Sequence, residues 1–302
     1  MSGRGLGRVT RRGIQVTLGL LWLLDGALQL QPYMFGRAFA EDIIAPAGEG
    51  QPAFVASGVQ WAADLIVAHP VAWDLTFAVV QLAIGIGLLV PRSGVVRGAI
   101  LASVAWALGV WYFGEGLGGL ASGQVDLITS APGAVLLYAV LALAAWPTTT
   151  DGSGRRPAAW IAVPWAMLWV GAAIWQALPA QHGVATMAAD VSGSEDGAPR
   201  WLSSLDRNVA SHLLSVGNAA VGGLVAAFLV IGLWGLLSGT PRKVAAVAGI
   251  VVAVLAWLLG QSLGELYTGQ STDPNSAPLL VLFALALASA KPLKAGRRRV
   301  IG

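Results

Sequence analysis

The chain has 302 residues, of which 56% are hydrophobic and only 11% are charged, whereas about 25% of the residues in an average soluble domain are charged. Its mean hydropathy is +0.70 and its formal net charge is +3. This composition is typical of a membrane protein. Cysteine is absent from these residues, which excludes thiol–disulfide chemistry, iron–sulfur ligation and a catalytic cysteine within them.

Eight apolar runs follow one another along the chain, and most are long enough to cross a hydrocarbon core, which takes about 20 helical residues. The fourth and eighth are short, so we expect them to cross steeply or to rely on snorkelling of flanking side chains such as Lys291. The sequence therefore predicts an all-α, polytopic membrane protein with eight transmembrane helices. The runs are 13–31, 71–90, 98–116, 132–146, 159–178, 215–237, 244–262 and 277–290.

The second half of the chain repeats the first. Residues 97–132 match residues 243–278 at a constant offset and without a gap, so that Trp111 falls on Trp257 and 130–132 falls on 276–278. A second match, shifted by one residue, pairs Trp22 with Trp169. Self-similarity of this kind indicates a tandem duplication.

The duplication predicts two four-helix membrane repeats, at 1–147 and 159–302, joined by a cytoplasmic linker at 148–158. Because each repeat has four spans, both enter the membrane in the same sense and are related by a pseudo-two-fold axis along the membrane normal. The basic and apolar start of the chain also has the pattern of a signal peptide. Asp25 interrupts that apolar run, and the run pairs with the internal span at 159–178, so we expect the first span to be retained.

Basic residues fall mainly on one side of the eight spans, which by the positive-inside rule predicts cytoplasmic termini in a multi-pass protein of the bacterial cytoplasmic (inner) membrane. We interpret the basic tail as an anchor for anionic lipid and predict no nucleic-acid partner. Only Arg37, Arg200 and Arg207 fall on the outer side. The cytoplasmic set is Arg4, Arg8, Arg11, Arg12, Arg92, Arg97, Arg155, Arg156, Arg242, Lys243, Lys291, Lys294, Arg297, Arg298 and Arg299.

Two long outer loops, at 33–70 and 180–214, carry apolar residues at three- and four-residue spacing with a polar opposite face. This pattern predicts helices that lie in the membrane interface. Pro52 and Pro199 would occupy the first turn of each. The stretch 190–198 is rich in Ser, Gly and acidic residues, which predicts a solvated turn.

Polar side chains inside the spans are the residues that packing does not explain. Asp25 lies about twelve residues into the first span, roughly 18 Å deep, where a charge costs several kcal/mol unless it is paired, hydrated or neutral. Asp25, Gln29, Gln81 and Glu115, with Trp111 one turn before Glu115, could line a polar ligand-binding pocket in the outer leaflet of the first repeat. The alternative is structural: Asp25 is a protonated acid bonded to a neighbouring glutamine, and Glu115 lies at the water interface.

The repeats differ at these positions, because Asp25 is matched by Ala172 and Glu115 by Gln261. If both acids only held a four-helix unit together, the second unit would need them too. One half is therefore expected to carry a site and the other to be a structural partner, although drift after duplication would give the same pattern.

Metal binding is disfavoured. The histidines, His69, His182 and His212, all fall on the outer side, but no pair has ligand spacing such as His-x3-His. Whether the three meet in space is left open by the sequence. A haem would need a histidine inside a span, and there is none.

The four-helix unit, with a long outer loop after its first span and a glycine-rich end to its third (residues 111–119, WYFGEGLGG), resembles the DoxX/DoxD-like family of small bacterial membrane proteins. The resemblance covers each repeat once, at about 15–146 and 160–290, and the fused double copy departs from the family's usual single unit. It implies a small membrane bundle that partners redox machinery. Some relatives are associated with quinone-linked oxidation of sulfur compounds.

From these features we predict an integral membrane subunit or scaffold, non-catalytic alone, in contact with lipid and with other membrane protein subunits. It would be associated with membrane redox or respiratory machinery and bind a lipophilic small molecule in the pocket of the first repeat. The alternatives are a quinone-linked oxidoreductase subunit and a small-solute transporter. The cofactor is left open by the sequence, and a quinone is the candidate; neither haem nor an iron–sulfur cluster is expected.

Overall fold

A computed structural model describes residues 9–148, 156–178, 183–193 and 198–291. These residues form helices and no strand, which confirms the all-α prediction. The eleven α-helices in this part of the chain are α1 Arg11–Leu28, α2 Ala53–Ala68, α3 Pro70–Leu89, α4 Ser93–Phe113, α5 Ala134–Ala144, α6 Ala162–Gln176, α7 Val184–Gly193, α8 Arg200–Val216, α9 Asn218–Leu236, α10 Thr240–Leu259 and α11 Ser276–Ser289.

Five of the described helices are long and apolar enough to cross a membrane. They are α3, α4, α9, α10 and the segment Ala159–Gln176, in which a short 3-10 turn leads into α6. Each coincides with a predicted span to within a few residues. The chain therefore has the helices of a multi-pass membrane protein.

The other three predicted spans form α1, α5 and α11. The fourth predicted span is longer than its helix, because α5 has only 11 residues, whereas the eighth matches the 14 residues of α11 to within one position. Helix α5 starts late because Gly133, which precedes it, has a φ of 110° that no helix can contain. The predicted boundaries 132–146 are therefore wrong by two residues at each end.

Helices α5 and α11 lie at the centre of the bundle, with most of their side chains buried. They pack against each other, while α1 packs on α3 and α6 packs on α9 around them. One continuous hydrophobic core runs through both halves. Its largest fully buried side chains include Tyr138, Trp165, Trp169 and Phe283.

The helices predicted in the two outer loops are confirmed as α2 and α8. Pro52 and Pro199 stand immediately before them as N-cap residues, so the prediction of first-turn prolines was one position off. The predicted turn at 190–198 is wrong at its start, because α7 continues to Gly193. Met187, Ala188 and Val191 on α7 are buried, and the last two pack against α8, which explains why the helix persists. Residues 194–197 lie outside the described part.

A left-handed turn follows both α4 and α10. Leu117 and Gly118 have φ values of 59° and 56°, and Leu263 and Gly264 have values of 58° and 70°. Leucine rarely adopts this conformation, so its appearance at both matched positions is an unusual shared feature.

A tryptophan anchors each turn. Trp111 Nε1 donates to the carbonyl oxygen of Pro132 at 2.8 Å, and Trp257 Nε1 donates to that of Pro274 at 2.9 Å. The ungapped sequence match had instead paired Pro132 with Pro278. That pairing is wrong at this end, because the segment between the turn and the next helix is shorter in the second half.

Arginines cap helix carboxyl ends at one end of the bundle. Arg11 donates to the carbonyl of Trp146 beyond α5, Arg12 to the last carbonyls of α3, and Arg242 to Leu237 at the end of α9 and to Lys291 beyond α11. Cations suit these positions because unpaired carbonyls and the helix dipole make helix carboxyl ends negative. All of these residues belong to the basic side predicted from sequence.

Close packing of α1 on α3 gives a stability prediction. A Cβ on Gly85 would lie 2.8 Å from the carbonyl oxygen of Gly19, whereas a Cβ on Gly98 would meet nothing within 4 Å. We expect Gly85→Ala to lower the free energy of unfolding by about 1–3 kcal/mol. Gly98→Ala should leave it unchanged or raise it by up to ~1 kcal/mol. Thermal unfolding in one detergent measures both, and equal shifts would contradict this packing.

Candidate functional site

A cavity of about 550 Å³ lies among α1, α3, α4 and α5 and is covered by α2 and the helical turn Phe39–Ile44. We call it the lateral cavity. Its wall is mostly aromatic and aliphatic, with polar side chains from four different segments of the chain. The lining residues are Trp22, Asp25, Gln29, Phe39, Ile43, Ile44, Trp61, Ala62, Leu65, Ile66, Trp73, Phe77, Val80, Gln81, Ala102, Ala105, Trp106, Gly109, Val110, Phe113, Gly114, Glu115, Val135, Tyr138, Thr272 and Asp273.

Four of the five side chains singled out from the sequence meet at this cavity: Asp25, Gln29, Gln81 and Glu115. Trp111 does not line it. Its indole nitrogen is bound to the carbonyl of Pro132, so Trp111 supports the turn beside Glu115 from behind.

Asp25 is 2% exposed, and its Oδ2 accepts a hydrogen bond of 2.5 Å from the hydroxyl of Tyr138 on α5. The alternative interpretation of Asp25 expected a glutamine partner, and on that point it is wrong. Trp22 packs on the Tyr138 ring, with 4.3 Å between ring centroids, and donates its Nε1 to Ser103 Oγ at 3.0 Å. Asp25 is therefore held by one hydrogen bond from Tyr138, whose ring packs against Trp22.

Several buried polar atoms around the cavity have no hydrogen-bond partner. They are Asp25 Oδ1, Gln29 Oε1, Gln81 Oε1, Glu115 Oε2 and Trp106 Nε1. More than nine in ten buried polar groups are paired in native proteins, and leaving one unpaired costs about 1–3 kcal/mol. These atoms belong to side chains that line the cavity.

Glu115 follows α4 and lies where α4, α5 and the second half of the chain meet. Its Oε2 is buried and lies so close to the backbone of Gly133 that a Cβ there would be only 1.9 Å away. Burial, and after it the nearby charge of Asp273, raises the pKa of Glu115 to about 8. Glu115 is therefore not the freely solvated interfacial acid of the alternative interpretation.

Asp273 enters the cavity from the second half of the chain, in the segment before α11. Its Oδ1 accepts from the amide of Asn275 at 2.6 Å, and its Oδ2 accepts from the hydroxyl of Thr272 at 3.1 Å. Burial raises the pKa of Asp273. The site is thus built by both halves, not by the first repeat alone.

The lateral cavity opens sideways through the bundle. Ala102 and Ala105, in the middle of the candidate membrane span α4, line it and are exposed. Near the end of α4, Trp61 is 58% exposed, and its ring centroid lies 5.4 Å from that of Phe113. The small side chains of Ala102 and Ala105 on α4 create this opening, and the exposed rings of Trp61 and Phe113 lie at its rim.

A second cavity of about 340 Å³ adjoins the first, and we call it the polar cavity. Glu115, Thr272 and Asp273 line both, so these side chains separate the two spaces. The polar cavity is also lined by Ser130 and by the exposed Glu265. The polar cavity extends from Glu115 and Asp273 towards the end of the bundle opposite the arginine caps.

Sequence reasoning missed Tyr138 and Asp273. Tyr138 is the only aromatic residue in the aliphatic stretch 134–144, a signal that could have been read. Asp273 had no such signal, because only the tertiary packing of the two halves brings it to Asp25 and Glu115.

The matched positions of the second half have structural roles. Ala172, the counterpart of Asp25, is buried beside the fully buried Trp165 and Trp169. Gln261, the counterpart of Glu115, donates its Nε2 to the carbonyl of Ile128 at 3.2 Å and to Ser276 Oγ at 3.0 Å. This difference agrees with a site that is centred on the first half.

Metal ligands do not gather in the described residues, which contain no cluster of three or more His, Cys, Asp or Glu side chains able to hold an ion. His69 and His212 are exposed. His182 lies outside the described residues, so whether all three histidines meet is not answered.

No family model, curated protein or solved structure matches this chain. The resemblance to the DoxX/DoxD-like family stays a prediction from sequence, and function is inferred from the site itself.

The raised pKa of Glu115 predicts a pH dependence of stability. Because the folded state favours the protonated acid, its contribution is complete below about pH 4.5 and is lost as the pH rises through about 8. We expect Glu115→Gln to have a higher free energy of unfolding than the wild type at about pH 9, by about 2–5 kcal/mol, and the gap to close near pH 4. Glu265→Gln, at an exposed acid, is the control. A gap that does not vary with pH would contradict the burial of Glu115.

Proposed function

We propose that this protein is an integral membrane subunit, non-catalytic by itself, that binds a lipophilic small molecule in the lateral cavity. The observation that carries the proposal is an otherwise apolar cavity whose lining includes five side chains with an unpartnered buried polar atom. Apolar pockets with a few convergent polar groups are the usual form of small-molecule sites. The opening at Ala102 and Ala105 lets such a molecule enter from the bilayer.

The proposed arrangement has eight spans in two parallel repeats, both termini in the cytoplasm, and α2 and α8 in the outer interface. Three features support it: the matched left-handed turns after α4 and α10, their matched tryptophan anchors, and the arginine caps at one end of the bundle. Under this arrangement the lateral cavity lies in the outer leaflet of a bacterial inner membrane.

Cysteine labelling tests this topology, since the wild-type sequence has no cysteine. Ser122→Cys, in the turn region after α4, should react with a membrane-impermeant maleimide applied to intact cells. Ser238→Cys, between α9 and α10, should react only after the membrane is opened. Labelling of Ser238→Cys in intact cells would overturn the orientation.

A second candidate function is a quinone-linked oxidoreductase subunit. The observation that favours it is the short Tyr138–Asp25 hydrogen bond at the cavity wall, where a proton could be exchanged with a lipophilic head group. The redox cofactor would then belong to a partner subunit. Association with redox machinery is otherwise a prediction from sequence.

Equilibrium dialysis tests the binding function. Purified protein in lipid nanodiscs is dialysed against radiolabelled dodecanol, dodecylamine and decylubiquinone, and empty nanodiscs give the partition background. We expect saturable binding of at least one probe at one molecule per chain. If none binds above background, the proposed function fails; if decylubiquinone binds tightest, the second candidate function is favoured.

A further inference from the structure

We propose that the natural occupant of the lateral cavity is a cationic amphiphile, whose ammonium head group is held between Asp25, Glu115 and Asp273 while its apolar tail lies along the aromatic wall. This inference rests on the proposed function and narrows the class of ligand. It is carried by three separate features of the lining: its charge, its hydrogen-bonding capacity and its rings.

The charge of the lining is of one sign. Three carboxyl groups, on Asp25, Glu115 and Asp273, line the cavity, and no Lys, Arg or His is among its lining residues. Acids that are buried together must be neutralised, either by protons or by a cation. A bound ammonium group would neutralise this cluster without help from a basic side chain.

Most of the unpartnered buried atoms in the lining are acceptors. Of the unpartnered buried atoms in the lining, Asp25 Oδ1, Gln29 Oε1, Gln81 Oε1 and Glu115 Oε2 are oxygens, and only Trp106 Nε1 is a donor. Asp25, Gln29 and Gln81 are each less than a tenth exposed. A primary ammonium group brings three donors and no acceptor.

Aromatic rings share the cavity lining with the acids. Trp22 packs on Tyr138, and the Tyr138 hydroxyl is bonded to Asp25. Phe77 and Trp106 follow, with 5.6 Å between their centroids. A cation gains from lying over such ring faces, most of all when it is shielded from water. The same rings, together with the rim at Trp61 and Phe113, offer an apolar path for a tail.

Two probes with the same chain separate charge from lipophilicity. Dodecylamine, which is protonated at neutral pH as a lysine is, and dodecanol, which is neutral, are measured by equilibrium dialysis on the full chain in nanodiscs. We expect dodecylamine to bind saturably at one per chain and at least tenfold more tightly than dodecanol. Glu115→Gln should weaken dodecylamine binding by at least fivefold and leave dodecanol binding unchanged. Asp25→Asn should do the same if it folds.

Glu265→Gln is the matched control, because Glu265 lines the polar cavity but not the lateral one, and it should leave both probes unaffected. If dodecanol binds as tightly as dodecylamine, or if Glu115→Gln weakens both probes equally, the cationic ligand is overturned while the proposed function stands. If dodecanoate binds more tightly than dodecylamine, the inference also fails. If no probe binds saturably, the proposed function fails and takes the inference with it.

Discussion

Ala105→Trp is expected to abolish saturable binding to the lateral cavity. Ala105 lines the cavity at its lateral opening and is exposed. An indole at this position can therefore be accommodated without disturbing the core, but it would block the path of the ligand into the cavity. We expect affinity for the tightest-binding probe to fall at least tenfold, or about 1.4 kcal/mol. Dialysis in nanodiscs measures the loss.

Leu108→Trp is the matched control on the same helix. Leu108 is 47% exposed and does not line the cavity, so a tryptophan there places the same indole on the exposed surface of α4. It should bind the probes as the wild type does, and both variants should unfold near the wild-type temperature. Full binding by a folded Ala105→Trp protein would mean that the ligand lies elsewhere.

Among the glycine substitutions, Gly118→Ala is expected to lower the free energy of unfolding most. Gly118 has a φ of 56°, and a Cβ on it would lie 2.0 Å from the carbonyl oxygen of Pro132. The substitution therefore combines backbone strain with displacement of a backbone segment, and we expect a loss of at least ~3 kcal/mol. Pro132 is followed by Gly133, and Glu115 lies against Gly133. Displacement of this segment should also move Glu115, so binding of the probes should weaken. Thermal unfolding in detergent measures the first effect.

Gly217→Ala separates strain from displacement. Gly217 has a φ of 70° and a ψ of −156°, a conformation that is nearly restricted to glycine, but a Cβ there would meet nothing within 4 Å, so only backbone strain of about 1–3 kcal/mol applies. An equal loss in both variants would show that Gly118 does not make its close approach to Pro132.

The sequence predicted most of the helices because hydrophobic runs of membrane length are a strong local signal. It placed α3 to within one residue and α9 to within three. The length of α5 was overestimated, because the apolar run begins before Gly133, whose φ of 110° is incompatible with a helix. Hydropathy does not report backbone conformation.

The candidate site was predicted in part for a similar reason. Asp25, Gln29 and Gln81 stand out locally, because polar groups inside an apolar span are costly and need an explanation. Tyr138 and Asp273 complete the site only through tertiary packing, one from the central helix α5 and one from the other half of the chain. A single sequence contains no direct record of such contacts.

Native mass spectrometry of the protein purified from its own membranes in a mild detergent tests the central claim most directly. The account predicts one lipid-soluble molecule bound per chain, present on the wild type and on Leu108→Trp and missing from Ala105→Trp. A wild-type protein that carries no such molecule, or an Ala105→Trp protein that carries it equally, would contradict the assignment of the lateral cavity as a binding site.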